Sequence, residues 1–133
     1  MTLQKFARRA LLGLLLLAGV LVCVGAVAQQ RPRIKAIKAF GDGNRVKTVV
    51  TISYDGDGVR ECEVNLVYYR STGDGWEKLG DEGSNTAQVA KGNDGEIDWF
   101  NDLAPGRYKV EATLWDRTIS NTAVDSKTYT FTL

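Results

Sequence analysis

The sequence predicts an all-β fold, an antiparallel β-sandwich of seven or eight short strands. Three observations predict it. After residue 28, apolar side chains recur with a period of two, which is typical of half-buried strands and not of helices. Glycine-rich turns separate these stretches at roughly the 8–12-residue spacing of a sandwich. The one stretch that favours a helix, residues 1–28, precedes them and has the features of a signal.

The first 28 residues contain the three parts of a secretory signal peptide in the expected order. Three basic residues come first, an uncharged run at 10–28 follows, and Ala-Val-Ala at 26–28 is a small-x-small cleavage site. The uncharged run has 19 residues, close to the ~20 of a spanning helix, so an uncleaved membrane anchor is the alternative. In either case residues 29–133 are exported, into the periplasm or the medium, and form a single domain.

Loss of the signal segment changes the charge balance. Three of the 17 basic residues and none of the 16 acidic ones lie in it, which leaves 14 basic residues and a net charge of −2. Because no basic face is predicted, nucleic acid is not an expected partner. A membrane is expected as a partner only through an uncleaved N-terminal segment. The remaining chain of about 105 residues is long enough for burial to stabilise it.

The two cysteines do not form a disulfide within the exported chain. Cys23 lies in the signal segment, which leaves Cys62 alone. Cys62 is in phase with Val64, Leu66 and Tyr68, a pattern that indicates a small, buried core residue. An intermolecular disulfide is the alternative.

The predicted strands follow one another with little sequence between them. In chain order they are 34–40, 46–54, 62–69, 76–79, a weak strand at 87–89, 96–100, 108–115 and 127–133. In the first strand the apolar phase slips between Ala36 and Ile37, which indicates a β-bulge or a strand that changes sheets. In the second strand the alternation is regular, so Val46, Thr48, Val50, Ile52 and Tyr54 are predicted to face inward.

The strand at 108–115 has the most regular alternation and follows a sharp turn. Pro105 pre-sets its own φ, and Gly106 permits a positive φ, so the two together predict a change of direction. From Tyr108 onward every second side chain is apolar, which places that set on the core face.

The run Leu103-Ala104-Pro105-Gly106-Arg107-Tyr108 resembles the turn before the penultimate strand of immunoglobulin-like and fibronectin type III domains. In those domains a tyrosine corner ties the turn to the sheet. The resemblance therefore implies that Tyr108 is the corner tyrosine and that Leu103, Pro105 and Gly106 build the turn. Together with residues 95–100, the same run also resembles the carboxypeptidase regulatory-like domain, a related small sandwich. Both resemblances imply a fold, and a fold does not fix a function.

Catalysis is not expected. The chain has no histidine, so a nucleophilic Cys62 would have no imidazole to activate it, and a zinc site would lack its usual ligands. The acidic residues lie in turns or on outward strand faces, and a sandwich of this size has little room for the cleft that paired carboxylates need. We predict no catalytic residues and an enzymatically inactive protein.

Calcium is the one cofactor that the sequence suggests. Asp55 and Asp57 stand two residues apart on a glycine-rich loop, and hard cations prefer such carboxylates. Asp81, Glu82 and Asp94 become further ligands if the fold brings the loops together. Asp-Gly pairs are also ordinary residues of tight turns, and plain turns are the favoured interpretation.

Outward-facing aromatic residues give the ligand-binding hypothesis. Tyr69 lies on the outward face of the third strand, and a loop at 70–75 would set it directly opposite Trp76. Such a pair stacks on a sugar ring or anchors a protein contact. A slip of one residue would bury Trp76 instead. Trp115 also faces outward, and it lies at the other end from Tyr69 if their two strands are antiparallel neighbours.

The predicted function is that of an exported, non-catalytic binding module acting in protein interaction or adhesion. A carbohydrate-binding module using Tyr69 and Trp76 is the first alternative, and a structural component of the envelope is the second. The expected partner is a protein or a polysaccharide of the exported compartment. Aromatic residues exposed together would favour carbohydrate, whereas a bare apolar edge strand would favour a protein partner through strand addition.

Overall fold

The computed structural model of the chain describes residues 30–119 and 121–133, with the backbone alone at residues 81 and 82. The predicted signal helix at 1–28 lies outside these residues. Residues 31–133 form one compact unit. No helix long and apolar enough to cross a membrane occurs in the part of the chain that is described.

Seven strands make up this unit in the described ranges. They are β1 (Arg33–Asp42), β2 (Arg45–Ser53), β3 (Val59–Ser71), β4 (Trp76–Ala90), β5 (Gly95–Asn101), β6 (Arg107–Asp116) and β7 (Ala123–Thr132). All neighbouring strands are antiparallel, in two sheets of order β1-β2-β5 and β4-β3-β6-β7. The predicted immunoglobulin-like β-sandwich is confirmed. In constant-type immunoglobulin domains the fourth strand belongs to the sheet of the first, whereas here β4 pairs with β3.

The core lies between the two sheets and is built by the period-two alternation of the central strands. The inward residues of β2, β3 and β6 are all buried: Val46, Thr48, Val50, Ile52, Cys62, Val64, Leu66, Tyr68, Tyr108, Val110, Ala112 and Leu114. The hydroxyls of Thr48 and Tyr68 form a buried hydrogen bond from one sheet to the other. Apolar burial and this buried polar contact both join the sheets.

The fourth strand differs from its prediction. The sequence favoured a short strand at 76–79 and a separate weak one at 87–89, but β4 is continuous from Trp76 to Ala90 and pairs with β3. Its pairing is interrupted by two register shifts, and Gly80 and Gly83 have positive φ. These irregularities interrupt the alternation in the sequence, which is why the strand was not recognised as one element. Bulges also protect an edge strand from further pairing.

The bulge of β1 lies between Ile34 and Ala36, next to its predicted position between Ala36 and Ile37. At this point the Ile34 N–H donates to the Asp125 carboxylate of β7, over 2.7 Å. A backbone group on the edge of one sheet thus finds its partner on the other sheet, and the open side of the sandwich is closed there.

The turn before β6 is held by Tyr108. Its side chain is buried, and its hydroxyl donates to the Ala104 carbonyl over 2.6 Å, which is the hydrogen bond of a tyrosine corner. Leu103 is half-buried against the core, and Pro105 is exposed.

The chain bends at residues 105 and 106, as predicted, but Gly106 does not adopt the positive φ that a glycine permits. A Cβ added to it would come no closer than 3.5 Å to Tyr108, an ordinary contact. Its backbone N–H and carbonyl pair with Leu133 instead, over 3.3 and 2.9 Å. The turn is therefore fixed by backbone pairing to the strand beside it, which does not require glycine.

The connections lie at two ends of the sandwich. The chain enters β1 at one end, which also carries the β2–β3, β4–β5 and β6–β7 connections. The turns at 43–44, 72–75 and 102–106 lie at the opposite end, which we call the far end, together with the last residues of β7.

Candidate functional site

Four side chains gather on the outer face of the four-stranded sheet at the far end: Tyr69, Trp76, Arg107 and Lys109, which we call the aromatic–cation cluster. The Lys109 Nζ atom lies 4.6 Å from the centre of the Tyr69 ring and 5.1 Å from that of the Trp76 ring. The Arg107 guanidinium carbon lies 5.9 Å from the Trp76 ring centre. All three distances are within the ~6 Å reach of cation–π attraction, so one ammonium group bridges both rings.

Strand register brings the cluster together. Tyr69 on β3 lies directly opposite Lys109 on β6. Trp76 lies opposite Ser71, and not opposite Tyr69 as predicted, so that detail of the prediction is wrong. Because residues 69 and 71 share one face of β3, the Tyr69 and Trp76 rings still project from the same side as diagonal neighbours.

The hairpin loop explains the difference in pairing. The predicted loop covered six residues, 70–75, but the actual one covers 72–75 and is closed by a hydrogen bond from the Thr72 N–H to the Gly75 carbonyl, over 3.0 Å. The Gly75 N–H also donates to the Thr72 hydroxyl, and Gly73 has a positive φ. The tighter turn lengthens β3 by two residues, to Ser71, so the Ser71–Trp76 pair lies at the tip of the sheet.

The cluster is open to solvent and positively charged. Trp76 is 37% exposed, Arg107 is exposed, and Tyr69 and Lys109 are half-buried. Among the ion pairs between described side chains, none includes Arg107 or Lys109. The two cations therefore contact ring faces, and no described carboxylate neutralises them.

Trp115, the third predicted aromatic residue, lies at the other end of the same face. It is opposite Glu63, and the Arg117 guanidinium carbon lies 5.0 Å from its ring centre and is ion-paired with Glu63. Six residues along β6 separate Trp115 from Lys109, a distance of about 20 Å. The prediction that Tyr69 and Trp115 lie at opposite ends is confirmed, and Trp115 is not part of the cluster.

A second exposed group, which the sequence reasoning missed, lies on the outer face of the three-stranded sheet. Phe40 and Phe100 both pair with Lys47 of β2 and are 46% and 44% exposed. The Arg45 guanidinium carbon lies 4.7 Å from the Phe100 ring centre, and Lys47 Nζ lies 5.7 Å from it. We call Phe40, Lys47 and Phe100 the phenylalanine row. It also lies at the far end.

The alternation of inward and outward side chains along each strand could have predicted that the phenylalanine row is exposed. Ile97 and Trp99 are buried, so the alternation of β5 directs Phe100 outward. Phe40 follows the bulge of β1, which makes its phase hard to assign from the sequence.

The predicted calcium ligands lie in the turn between β2 and β3, at the end where the chain enters. Asp55 and Asp57 are exposed, and Asp55 is ion-paired with Arg33 at 3.5 Å. Asp94 is ion-paired with Lys35 at 2.9 Å. Across the described side chains, no group of three or more acidic or cysteine residues is arranged to hold a metal ion. The structure adds no third ligand to Asp55 and Asp57, and the side chains of 81 and 82 lie outside what it describes.

Cys62 is fully buried. The pKa of its thiol is raised from 9.0 to about 12, mainly by burial and also by nearby Asp116, while Arg60 partly opposes the shift. The thiol is therefore neutral at physiological pH and shielded from solvent, the properties of a core residue and not of a nucleophile.

No protein-family model matches the chain, and no curated protein matches it. Several solved structures share its fold. A β-glucuronidase from Bacteroides uniformis matches with a TM-score of 0.58 and 16% identity, over 77% of this chain and 14% of that one. A GH3 β-glucosidase from Bifidobacterium adolescentis matches with a TM-score of 0.54 and 16% identity, over 78% of this chain and 17% of that one.

A β-glucosidase from Erythrobacter marinus matches with a TM-score of 0.55 and 14% identity, over 78% of this chain and 15% of that one. At such identities the likeness establishes the fold alone. The chain spans less than a fifth of the length of each of these proteins, so it corresponds to one domain-sized part of them.

Proposed function

We propose that residues 29–133 act as an exported, non-catalytic carbohydrate-binding module through the aromatic–cation cluster. One observation carries the proposal: the Tyr69 and Trp76 rings project from the same open face at the tip of a sheet. Aromatic ring faces pack against the apolar faces of sugar rings. Lys109, Arg107 and the hydroxyl of Ser71 lie beside them and can donate hydrogen bonds to sugar hydroxyls.

This reverses the order of the sequence-based hypotheses, which put a protein partner first. The criterion was whether aromatic residues are exposed together or an apolar edge strand is left bare. Tyr69 and Trp76 share a face, whereas the edge strand β4 is bulged and the edge strand β7 directs threonines outward. Strand addition to such edges is disfavoured.

The fold likeness supports an accessory role. The matching solved structures are enzymes named for sugar substrates, and this chain corresponds to a small part of each. Absence of histidine and burial of Cys62 support a non-catalytic domain. Export is supported by the signal features of residues 1–28. The turn at 103–108 supports membership of the immunoglobulin-like and fibronectin type III-like superfamily, with the carboxypeptidase regulatory-like domain as the second choice.

Protein interaction or adhesion is the second candidate, and the phenylalanine row favours it. Two half-exposed aromatic side chains on the opposite sheet, with Lys47 between them, are the kind of residues that anchor protein contacts. A structural envelope role is what we expect if neither face binds a ligand.

Retention on a panel of insoluble polysaccharides tests the proposal. We expect the protein to be retained, Trp76→Ala to weaken retention roughly 10-fold or more, and Phe100→Ala to leave it unchanged. Phe100 is a matched control because it is a similarly exposed aromatic residue on the opposite sheet.

The opposite pattern, loss of retention in Phe100→Ala alone, would assign binding to the phenylalanine row. Failure of all three proteins to be retained would refute carbohydrate binding and direct the search to protein partners. Equal unfolding midpoints establish that each variant is folded.

A further inference from the structure

The rings of the aromatic–cation cluster are in contact with positive charges. Lys109 Nζ lies over both Tyr69 and Trp76, and the Arg107 guanidinium lies over Trp76. A ligand ring that stacks on the faces these cations cover must move them aside. The cost of that displacement depends on what the ligand offers to Lys109 and Arg107 in return.

A neutral sugar offers them only hydroxyl groups, so the cation–π attraction is lost with little compensation. A sugar that carries a carboxylate gives Lys109 and Arg107 a charge-assisted hydrogen bond, roughly twice as strong as a neutral one. Arg107 can bind a carboxylate through two parallel N–H groups. The geometry therefore discriminates in favour of an acidic sugar ring.

The distribution of charge on this face also favours an anionic ligand. The nearest carboxylate on the same face of β6 is that of Glu111, which lies two residues beyond Lys109, away from the far end. The carboxylates of the far-end turns, Asp74 and Asp102, lie in the connections, whereas Lys109 and Arg107 lie on the strand beside the two rings.

The position of the cluster favours a polysaccharide over an acidic peptide. Tyr69 and Lys109 lie on β3 and β6, interior strands that are paired on both sides, so their backbone groups are already used. Only side chains remain to contact a ligand there. Hydroxyls surround them: Ser71 is opposite Trp76, Thr130 opposite Lys109, and Thr132 opposite Arg107. Hydroxyls, ring faces and cations together match a polyhydroxylated acid ring.

We propose that the aromatic–cation cluster binds a polysaccharide of carboxylate-bearing sugars, a polyuronate. A sugar ring packs on Tyr69 and Trp76 while Lys109 and Arg107 hold its carboxylate. This inference rests on the proposed carbohydrate-binding function and names the class of sugar at that site.

Affinity electrophoresis of the full-chain protein in gels containing polygalacturonate or its methyl ester tests the inference. The two polymers share a backbone and differ in charge. We expect at least ~10-fold tighter binding to polygalacturonate, because one charge-assisted contact per site is lost in the ester. Lys109→Met should abolish that preference. Lys38→Met is the control, since Lys38 is an exposed lysine on the opposite sheet.

Equal affinity of the wild-type protein for both polymers, or an unchanged preference in Lys109→Met, would overturn the acid specificity and leave carbohydrate binding standing. Binding to neutral polysaccharides alone would do the same. Failure to bind any polysaccharide would overturn the proposed function as well. Equal binding to dextran sulfate or polyglutamate would show unselective attraction between charges, or recognition of an acidic peptide, and would refute the polyuronate site.

Discussion

The Tyr108 hydroxyl belongs to a buried side chain and, together with the backbone pairing of Gly106 with Leu133, holds the turn before β6. It donates to Ala104 over 2.6 Å, and its ring lies 5.6 Å from the Phe131 ring. Tyr129 also stacks on Phe131, at 6.1 Å, but no hydrogen bond of its hydroxyl is found among the described residues. The two tyrosines therefore share a ring contact and differ in hydrogen bonding.

Tyr108→Phe should lower the free energy of unfolding by about 1 kcal/mol, because the Ala104 carbonyl loses its partner at the edge of the core. Tyr129→Phe should change it by no more than a few tenths of a kcal/mol. Urea denaturation followed by tryptophan fluorescence measures both. Similar losses in the two variants would show that the hydroxyl bond does not stabilise the turn.

Cys62 gives a pH dependence with a definite sign. Its pKa in the folded protein is about 12, above the ordinary 9.0, so the folded state favours the neutral thiol. The resulting stability is present in full below pH 9 and is lost as the pH rises from about 9 towards 12. The loss has a slope of up to ~1.4 kcal/mol per pH unit.

We expect Cys62→Ala to show a shallower fall in stability than the wild type between pH 9 and 11, despite a lower stability at pH 8 from the cavity it leaves. Urea unfolding at each pH gives both curves. All other groups are common to the two proteins, so their contributions cancel in the comparison. Parallel curves would mean that the thiol pKa does not differ between the folded and unfolded states.

Single residues were well predicted where local alternation decides their environment. Cys62 and Tyr108 were assigned to the core from phase alone, and both are buried. The bend at 105–106 was predicted but its backbone conformation was not, because a glycine after proline is compatible with several turn conformations. Which one forms depends on the pairing with Leu133, a residue 27 positions away that a local pattern does not reveal.

Among the strands, β4 and β5 come together where the two sheets meet, and Gly95 permits the close approach. A Cβ at this position would lie 2.7 Å from the Val89 Cγ1 atom and 3.2 Å from the Gln88 carbonyl oxygen. Gly95 is buried and does not have a positive φ. Glycine is therefore needed here because there is no room for a side chain, and not because of the backbone conformation.

Gly95→Ala should therefore lower the free energy of unfolding by roughly 1–3 kcal/mol, as overpacking in a core does. Gly41→Ala is the matched control: Gly41 is also in a strand without a positive φ, and a Cβ there meets nothing within 4 Å. Thermal denaturation of the two variants and the wild type measures the difference in stability. Indistinguishable midpoints would show that β4 can move away from β5 without cost.

At the same scale, β4 shows why the candidate site was only half predicted. Tyr69 and Trp76 were found because their phase in a hairpin is a local property. Their exact pairing was not, since it depends on a tight loop at 72–75 and a bulged strand. Lys109 and Arg107 could not be assigned to the site at all, because their position beside Tyr69 and Trp76 follows from the pairing of β3 with β6.

For the whole molecule, the fold class was predictable and the arrangement of its surfaces was not. Alternation and turn spacing are enough to indicate a sandwich. The division into sheets of three and four strands requires long-range pairing. That pairing sets the aromatic–cation cluster and the phenylalanine row at the same end on opposite sheets, so a test of either surface has the other as its internal control.

The direction of the first and last strands has a mechanical consequence. β1 starts where the chain enters the sandwich, and β7 finishes at the far end, so a pulling force between Arg33 and Thr132 acts along the strands. The hydrogen bonds of β1 with β2 and of β7 with β6 then carry the tension together, in shear, and are not broken one after another. If the polysaccharide is held by β3, β4 and β6 at the far end while the chain is tethered before β1, the load also runs along the strands and puts the hydrogen bonds of β1 with β2 in shear.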